Sequence, residues 1–426
     1  MKNNLWLGVF GALAALIGAA IVVDFCLAGL GVVSGFALVS VAPVKTAQAA
    51  YRFADFEGRP PIHIYRAAAA KPAGMTPAEI KKVYNLPSTG GSGTIAIIDA
   101  YDDATMEADL GVFDKMYGLA ACTTANGCFT KHKMASSTAK DSGWALEESL
   151  DVEWAHAIAP KAKILLVEAK TPSGANLLDA IDYATKQKGV VAVSMSWGGA
   201  EFSDEVSYDS HFGGAASGTA AAADAADANA SSTKKASTST IAFFASSGDD
   251  GAGASWPAAS PYVVGVGGTT LTVATSTGKF IKETAWSGSG GGVSAYEKEP
   301  AYQTAYNIAK ANGMRAIPDV AYDADPASGY PVYLSPSGKS SSTASSKNGW
   351  YTVGGTSAGA PQWAAIQALG QSVRLAKLYT DKGTTSTAKF FRDITSGKNG
   401  TCTYYCVARS HYDYVTGLGT PQTTKF

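Results

Sequence analysis

The chain has 426 residues, 46% of them hydrophobic, and a formal net charge of −1 at neutral pH. That length and apolar fraction allow a large core and exclude a disordered chain, while the near-zero charge leaves no basic surplus for a nucleic-acid partner. With 46 glycines and only 16% charged residues, the composition suits a compact exported protein.

Leu5 to Val23 is an unbroken apolar run behind Lys2. Asp24 interrupts it, Leu27 to Val44 is a second apolar run, and Ala47-Gln48-Ala49 supplies a small-x-small cleavage pattern. Residues 1–49 therefore read as an export signal or a membrane anchor. Secretion is the expectation, and retention through residues 5–44, facing outside, is the alternative.

The five cysteines agree with an oxidising destination. Cys26 belongs to the export segment. Cys122 with Cys128 and Cys402 with Cys406 are expected to form two short-range disulfides. No histidine is suitably spaced in sequence for zinc at the first pair, whereas His411 leaves zinc open at the second.

Residues 50–74, with Pro60-Pro61 and an alanine run, read as a linker with no large pro-segment. Thr76-Pro77-Ala78-Glu79 starts a helix, with Thr as N-cap, Pro at the first position and Glu at the third. Strands are expected at Gly93–Asp99, Lys163–Glu168, Val190–Ser196, Ile241–Ser246 and Tyr262–Val266. Helices are expected at Met106–Tyr117, Glu147–Ala157 and Leu177–Gln187. The alternation of helices with continuous apolar strands predicts an α/β fold, a parallel sheet with helices on both faces. Between Phe212 and Thr240 the chain turns to Ala, Ser, Thr and Gly, as a low-complexity surface insertion does.

Tyr351-Thr352-Val353 is a short strand, and Gln362 to Gly370 a buried helix. Between them lies Gly354-Gly355-Thr356-Ser357-Ala358-Gly359-Ala360-Pro361. A serine there sits at the positive end of a helix, among glycines that let another backbone approach. It is a nucleophile if a base reaches it, and otherwise an N-cap.

None of the five histidines lies in a context expected of such a base. Glu147 and Asp151 are better placed: four residues apart, they share one helix face, and two close carboxylates raise the pKa of one. The helix carries Trp144, Leu150 and Trp154, which argues against a merely solvated acidic face. Asp249 stands in Ser-Gly-Asp-Asp-Gly after an apolar strand, where open α/β sheets place functional groups.

Glu147-x-x-x-Asp151, Ser-Gly-Asp249 and Gly-Gly-Thr-Ser357-Ala-x-x-Pro361, in that order, resemble the sedolisin family of serine-carboxyl peptidases. Ser196-Trp197-Gly198-Gly199, Gly290-Gly-Gly-Val-Ser294, Pro318-Asp319-Val320, Asp393-Ile394-Thr-Ser-Gly397 and Asp413-Tyr-Val-Thr-Gly417-Leu-Gly419 extend the likeness. It covers roughly Met75 to Pro421.

The resemblance implies a subtilisin-like fold in a single catalytic domain, residues 75–426. Ser357 would be the nucleophile, Glu147 its base, Asp151 the residue orienting Glu147, and protonated Asp249 the donor to the oxyanion. Ser196, Trp197 and Gly198 with Gly290, Gly291 and Gly292 would line a substrate cleft. One calcium ion is implied at Asp393, Ile394, Arg409, His411 and Asp413, the last but one and Arg409 standing where the family has glycines. The implied activity is an acid-acting endopeptidase, a monomer with polypeptide substrates; a catalytically inactive envelope or binding protein on the same scaffold is the alternative.

Overall fold

Strands that are apolar on both faces must be covered on both, so they end up at the centre of the fold. The computed structural model describes residues 51–136, 139–213, 241–335, 347–380 and 390–422. At its centre are β2 (Thr94–Ala100), β3 (Phe129–Lys133), β4 (Lys163–Ala169), β5 (Val190–Met195), β6 (Ala242–Ser246), β7 (Val264–Ala274), β8 (Lys279–Ala285) and β9 (Val320–Asp323). Preceding them, β1 spans His63–Ala69. The sheet order is β8-β7-β6-β5-β2-β4-β3, with β9 also on β7. All neighbours run parallel except β8 against β7.

Alternation along β2 decides which helix covers which face. Ile95 and Ile97 join a cluster with Leu110, Phe113, Trp154 and Trp363. These come from α2 (Met106–Tyr117), α3 (Ser142–Ile158) and α5 (Gly359–Ala368). Ala96 and Ile98 face the other way, onto Leu177 and Ile181 of α4 (Gly174–Thr185). The parallel sheet covered by helices on both faces, expected from the strand pattern, is formed, and it has the subtilisin-like form that the resemblance implies.

Local signals placed most elements well. α1 (Pro77–Val83) carries the expected reciprocal cap between Thr76 and Glu79. α3 begins at Ser142, five residues before the expected start, because the Asp141 carboxylate accepts from the Gly143 and Trp144 amides at 2.9 and 3.1 Å. Cys122–Cys128 and Cys402–Cys406 are disulfide-bonded as expected. His156, distant in sequence, comes within 4.8 Å of both sulfurs of the first pair. Sulfur committed to a disulfide is no thiolate, so neither pair offers zinc its ligands.

The reading of residues 50–74 as a linker is corrected. Phe53–Asp55 forms a 3₁₀ turn, Phe56 is buried, and β1 joins a second sheet of order β1-β11-β10. There β10 is Tyr330–Leu334 and β11 is Gly349–Gly354. Residues 49–426 form one compact unit. β1 escaped notice because an edge strand with mostly exposed or half-exposed residues carries no apolar alternation. The export segment, Cys26 and most of the low-complexity insertion lie outside the described residues. Among the described residues no helix is long and apolar enough to cross a membrane.

Candidate active site

β11 ends at Gly354, a single turn Thr356–Ala358 follows, and α5 starts at Gly359. Gly355 makes that corner with φ +129°, and an added Cβ would lie 2.0 Å from the Pro61 carbonyl oxygen. Only glycine fits there. The corner points Ser357 into the molecule, where it is fully buried.

α3 packs against this corner and brings up Glu147 and Asp151, both fully buried. Ser357 and Asp151 lie near enough to Glu147 to affect its charge. Glu147 is within side-chain hydrogen-bonding range of both, although both Glu147 oxygens and Ser357 Oγ are buried without a fully aligned bond. Unbound catalytic sites are often this loose. Ser196 Oγ lies within hydrogen-bond distance of Asp151 Oδ1, at 2.8 Å, and of the Ser357 carbonyl oxygen, at 3.2 Å.

Burial pushes Glu147 well above the usual carboxylate range, with the charge of Asp99 next in importance. The same two causes, in the same order, hold Asp151 up. Asp99, at the end of β2, is itself raised by burial and by Glu168. Glu168 is pushed up to about 7 by burial and meets Lys131 Nζ at 2.9 Å. A row of carboxyls thus runs inward from Lys131 to the serine. In the sequence Asp99 stands out only as the last residue of an expected strand; its place at a carboxyl end is the one local signal of a functional group.

Asp249 follows β6 on the other side of Ser357. Its Oδ1 accepts from the Thr356 amide and from Thr356 Oγ1, both at 2.8 Å. Burial raises its pKa, opposed by His63, whose Nε2 is 3.1 Å from Asp249 Oδ2. His63 lies on β1, opposite Gly354; nothing local in the sequence marks it. Of the other four histidines, three have side chains engaged elsewhere: His132 stacks on Tyr183 at 3.7 Å, His156 meets Asp114 at 3.3 Å, and His211 meets Asp182 at 2.8 Å; His411 lies in the C-terminal loop with its amide on Asp393.

A cavity of about 710 Å³ opens beside Asp249, lined by Gly198, Gly290 and residues of the segment before β1. Of the expected cleft residues, Gly198 and Gly290 line it. Ser196 and Trp197 are buried beneath, with Trp197 Nε1 donating to the Ile98 carbonyl at 2.9 Å. Gly291 exchanges backbone bonds with Gly253, and Gly292 pairs with Ile317.

The residues implied for calcium gather around one loop. Asp393 Oδ2 accepts from the His411 amide at 2.9 Å, and Asp413 Oδ2 from the Arg409 amide at 3.2 Å. His411 takes φ +67° where the resemblance has glycine. Two carboxylates converging on one loop, one of them buried, fit the all-oxygen donor set of a hard cation.

A parallel α/β sheet with a serine at a strand-to-helix corner, facing helix-borne carboxyls, defines a subtilisin-like hydrolase architecture. Residues 131–388 match the Subtilase family (Peptidase S8), and the chain belongs to that family. It is 31% identical to kumamolisin of Bacillus sp. (strain MN-32) over 84% of this chain and 63% of that protein. It is 26% identical to sedolisin of Pseudomonas sp. (strain 101) over 84% of this chain and 61% of that protein. The chain thus spans under two thirds of the length of these relatives. A solved structure of Pseudomonas sedolisin, a serine-carboxyl proteinase complexed with two molecules of pseudo-iodotyrostatin, superposes with a TM-score of 0.65 at 25% identity. That match covers 83% of this chain and 96% of the other.

Proposed function

We propose that this protein is an exported serine-carboxyl endopeptidase acting at acid pH, with Ser357 as nucleophile and Glu147 as its base. The observation that carries the reading is the burial of Ser357 against Glu147 and Asp151, with no described histidine bonded to the serine. Glu147 takes the Ser357 proton as Oγ attacks a peptide carbonyl, then returns it to the departing amine. Water repeats the exchange to release the acyl group. Asp151 holds the shared proton and orients Glu147, and Asp249, when protonated, donates to the oxyanion. A carboxyl base is effective near its own pKa, and a donor carboxyl must keep its proton, so both requirements select acid. Carboxylates Asp393 and Asp413, with carbonyls of Ile394, Arg409 and His411, would hold one calcium ion, which would tie the loop to the body of the fold.

The deciding measurement is digestion of casein from about pH 3 to about pH 7. Wild type should be active on the acid side, Ser357→Ala and Glu147→Gln inactive, and His156→Ala unchanged. Activity that peaks above neutrality, survives Glu147→Gln and dies with His156→Ala would refute the proposal.

A further inference from the structure

We propose that residues 57–63 are a built-in peptide ligand of the cleft: they pair with it as an extended peptide would, bend at Pro61 over the glycine corner that leads to the serine so as not to be cut, and are latched to Asp249 by His63. The inference takes the cleft beside Asp249 to be the peptide-binding cleft proposed above.

The pairing is explicit. The Arg59 amide donates to the Gly198 carbonyl at 3.0 Å, and the Gly198 amide returns a bond to the Arg59 carbonyl at 3.2 Å. An antiparallel bridge of this kind is how an added peptide strand binds a sheet edge. The segment is anchored upstream by Phe56, whose ring meets Trp256 edge-on at 4.8 Å. Gly58 follows, seated where an added Cβ would lie 2.7 Å from Leu177. Downstream it continues directly into β1. Tied at both ends, it stays at the cleft at a high effective concentration.

The bend comes from Pro60-Pro61. Neither proline has an N–H, so neither can extend the ladder beyond Arg59 as a donor. The Ile62 amide instead turns back to the Pro60 carbonyl at 3.1 Å, a three-residue turn centred on Pro61. This carries the Pro61 carbonyl over Gly355, where a Cβ would lie 2.0 Å from that oxygen and 2.5 Å from Asp249 Oδ2. The carbonyl and the carboxyl share the space over Gly355, at the corner that leads into Ser357. The Ile62 nitrogen, which would be the leaving group, is already engaged, and the backbone is curled instead of extended.

The latch is His63 Nε2 against Asp249 Oδ2. Asp250 also faces His63, Trp286 stands edge-on to its ring at 6.0 Å, and Asp249 faces Glu147 from the other side. Hydrogen bonding to Asp249 raises the imidazole above its usual value, and burial raises Asp249. The ion pair therefore exists between the two titrations: it weakens as pH falls and Asp249 gains its proton, and again as pH rises and His63 loses its own. Acid loosens the segment by the same protonation that arms Asp249 as a donor.

Amide exchange on full-length Ser357→Ala tests occupancy without needing catalysis. At about pH 6 the Arg59 amide should be protected, and that protection should drop about fivefold either at about pH 4 or on His63→Ala. An unprotected Arg59 at both pH values would overturn occupancy, and protection indifferent to acid and to His63→Ala would overturn the latch. In the serine-intact protein, intact mass should show the Pro61–Ile62 bond whole in wild type and cut in Pro61→Gly. Cleavage of the wild-type bond would overturn the bend. Casein left undigested at every pH, with Arg59 still protected, would refute the proposed function while leaving the ligand assignment standing.

Discussion

Ser196 Oγ lies 2.8 Å from Asp151 Oδ1 and 3.2 Å from the Ser357 carbonyl oxygen. A hydroxyl has one proton to give. Both contacts are hydrogen bonds at once only if Asp151 carries a proton and donates it to Ser196, which then donates to the carbonyl. Under the proposed mechanism Ser196 would then be a positioning residue that couples the proton state of the carboxyl set to the serine loop. Ser196→Ala should lower kcat about tenfold, the scale of one hydrogen bond to an ionisable group, with KM little changed. Ser196→Thr, which keeps the hydroxyl, should recover most of the loss. Equal losses in both variants would mark a packing defect instead.

Asp99 should set the pH at which Glu147 becomes a base. After burial, its charge is the largest influence holding both Glu147 and Asp151 up. Asp99→Asn removes that charge at constant shape, so Glu147 should lose its proton more readily. The acid limb of kcat/KM should move down by about one pH unit. A limb that stays in place would separate Asp99 from the catalytic set.

Stability should fall as pH rises. Burial holds Asp99, Glu147, Glu148 and Asp151 above the carboxylate range and pushes Glu168 up to about 7. In each case the folded value exceeds the unfolded one, so the contribution is complete below the unfolded pKa of about 4 and is lost as pH climbs through the folded value. The Tm of Ser357→Ala, free of self-digestion, should be highest near about pH 4 and lower by several degrees near about pH 7. A Tm rising over that interval would contradict the burial of these groups in protonated form.

Calcium should raise the Tm and a chelator should reverse it. An ion bound only by the folded state adds about 3 kcal/mol at a hundredfold excess over its Kd. Asp413→Asn should abolish the response, because Asp413 is the buried carboxylate of the loop. A melting curve indifferent to both calcium and chelator would mean that Arg409 and His411 have closed the site.

Much of this arrangement was legible along the chain. The runs Thr94–Ala100 and Lys163–Ala169 announce a parallel sheet because each position must be apolar when both faces are covered. The spacing of Glu147 and Asp151, the glycine corner before Ser357 and the two short cysteine loops are local patterns, readable because few residues separate their members. His63 and the pairing of Arg59 with Gly198 were not legible. Each depends on which strand lies beside which, and an edge segment with exposed side chains carries no periodic signal.

Sequence alone therefore determined the central apolar strands, the helices that alternate with them and the residue types available at the serine, while β1, β3, β8, β9 and β10 left no such trace. Local propensity and apolar periodicity act over a few residues, and they leave a visible trace. Tertiary structure alone decided that Asp99 sits among the carboxyls, that His63 reaches Asp249, and that Arg59 pairs with Gly198 beside the cavity. Those contacts join positions far apart in the chain, and their energies come from burial and register, which no short stretch of chain encodes by itself.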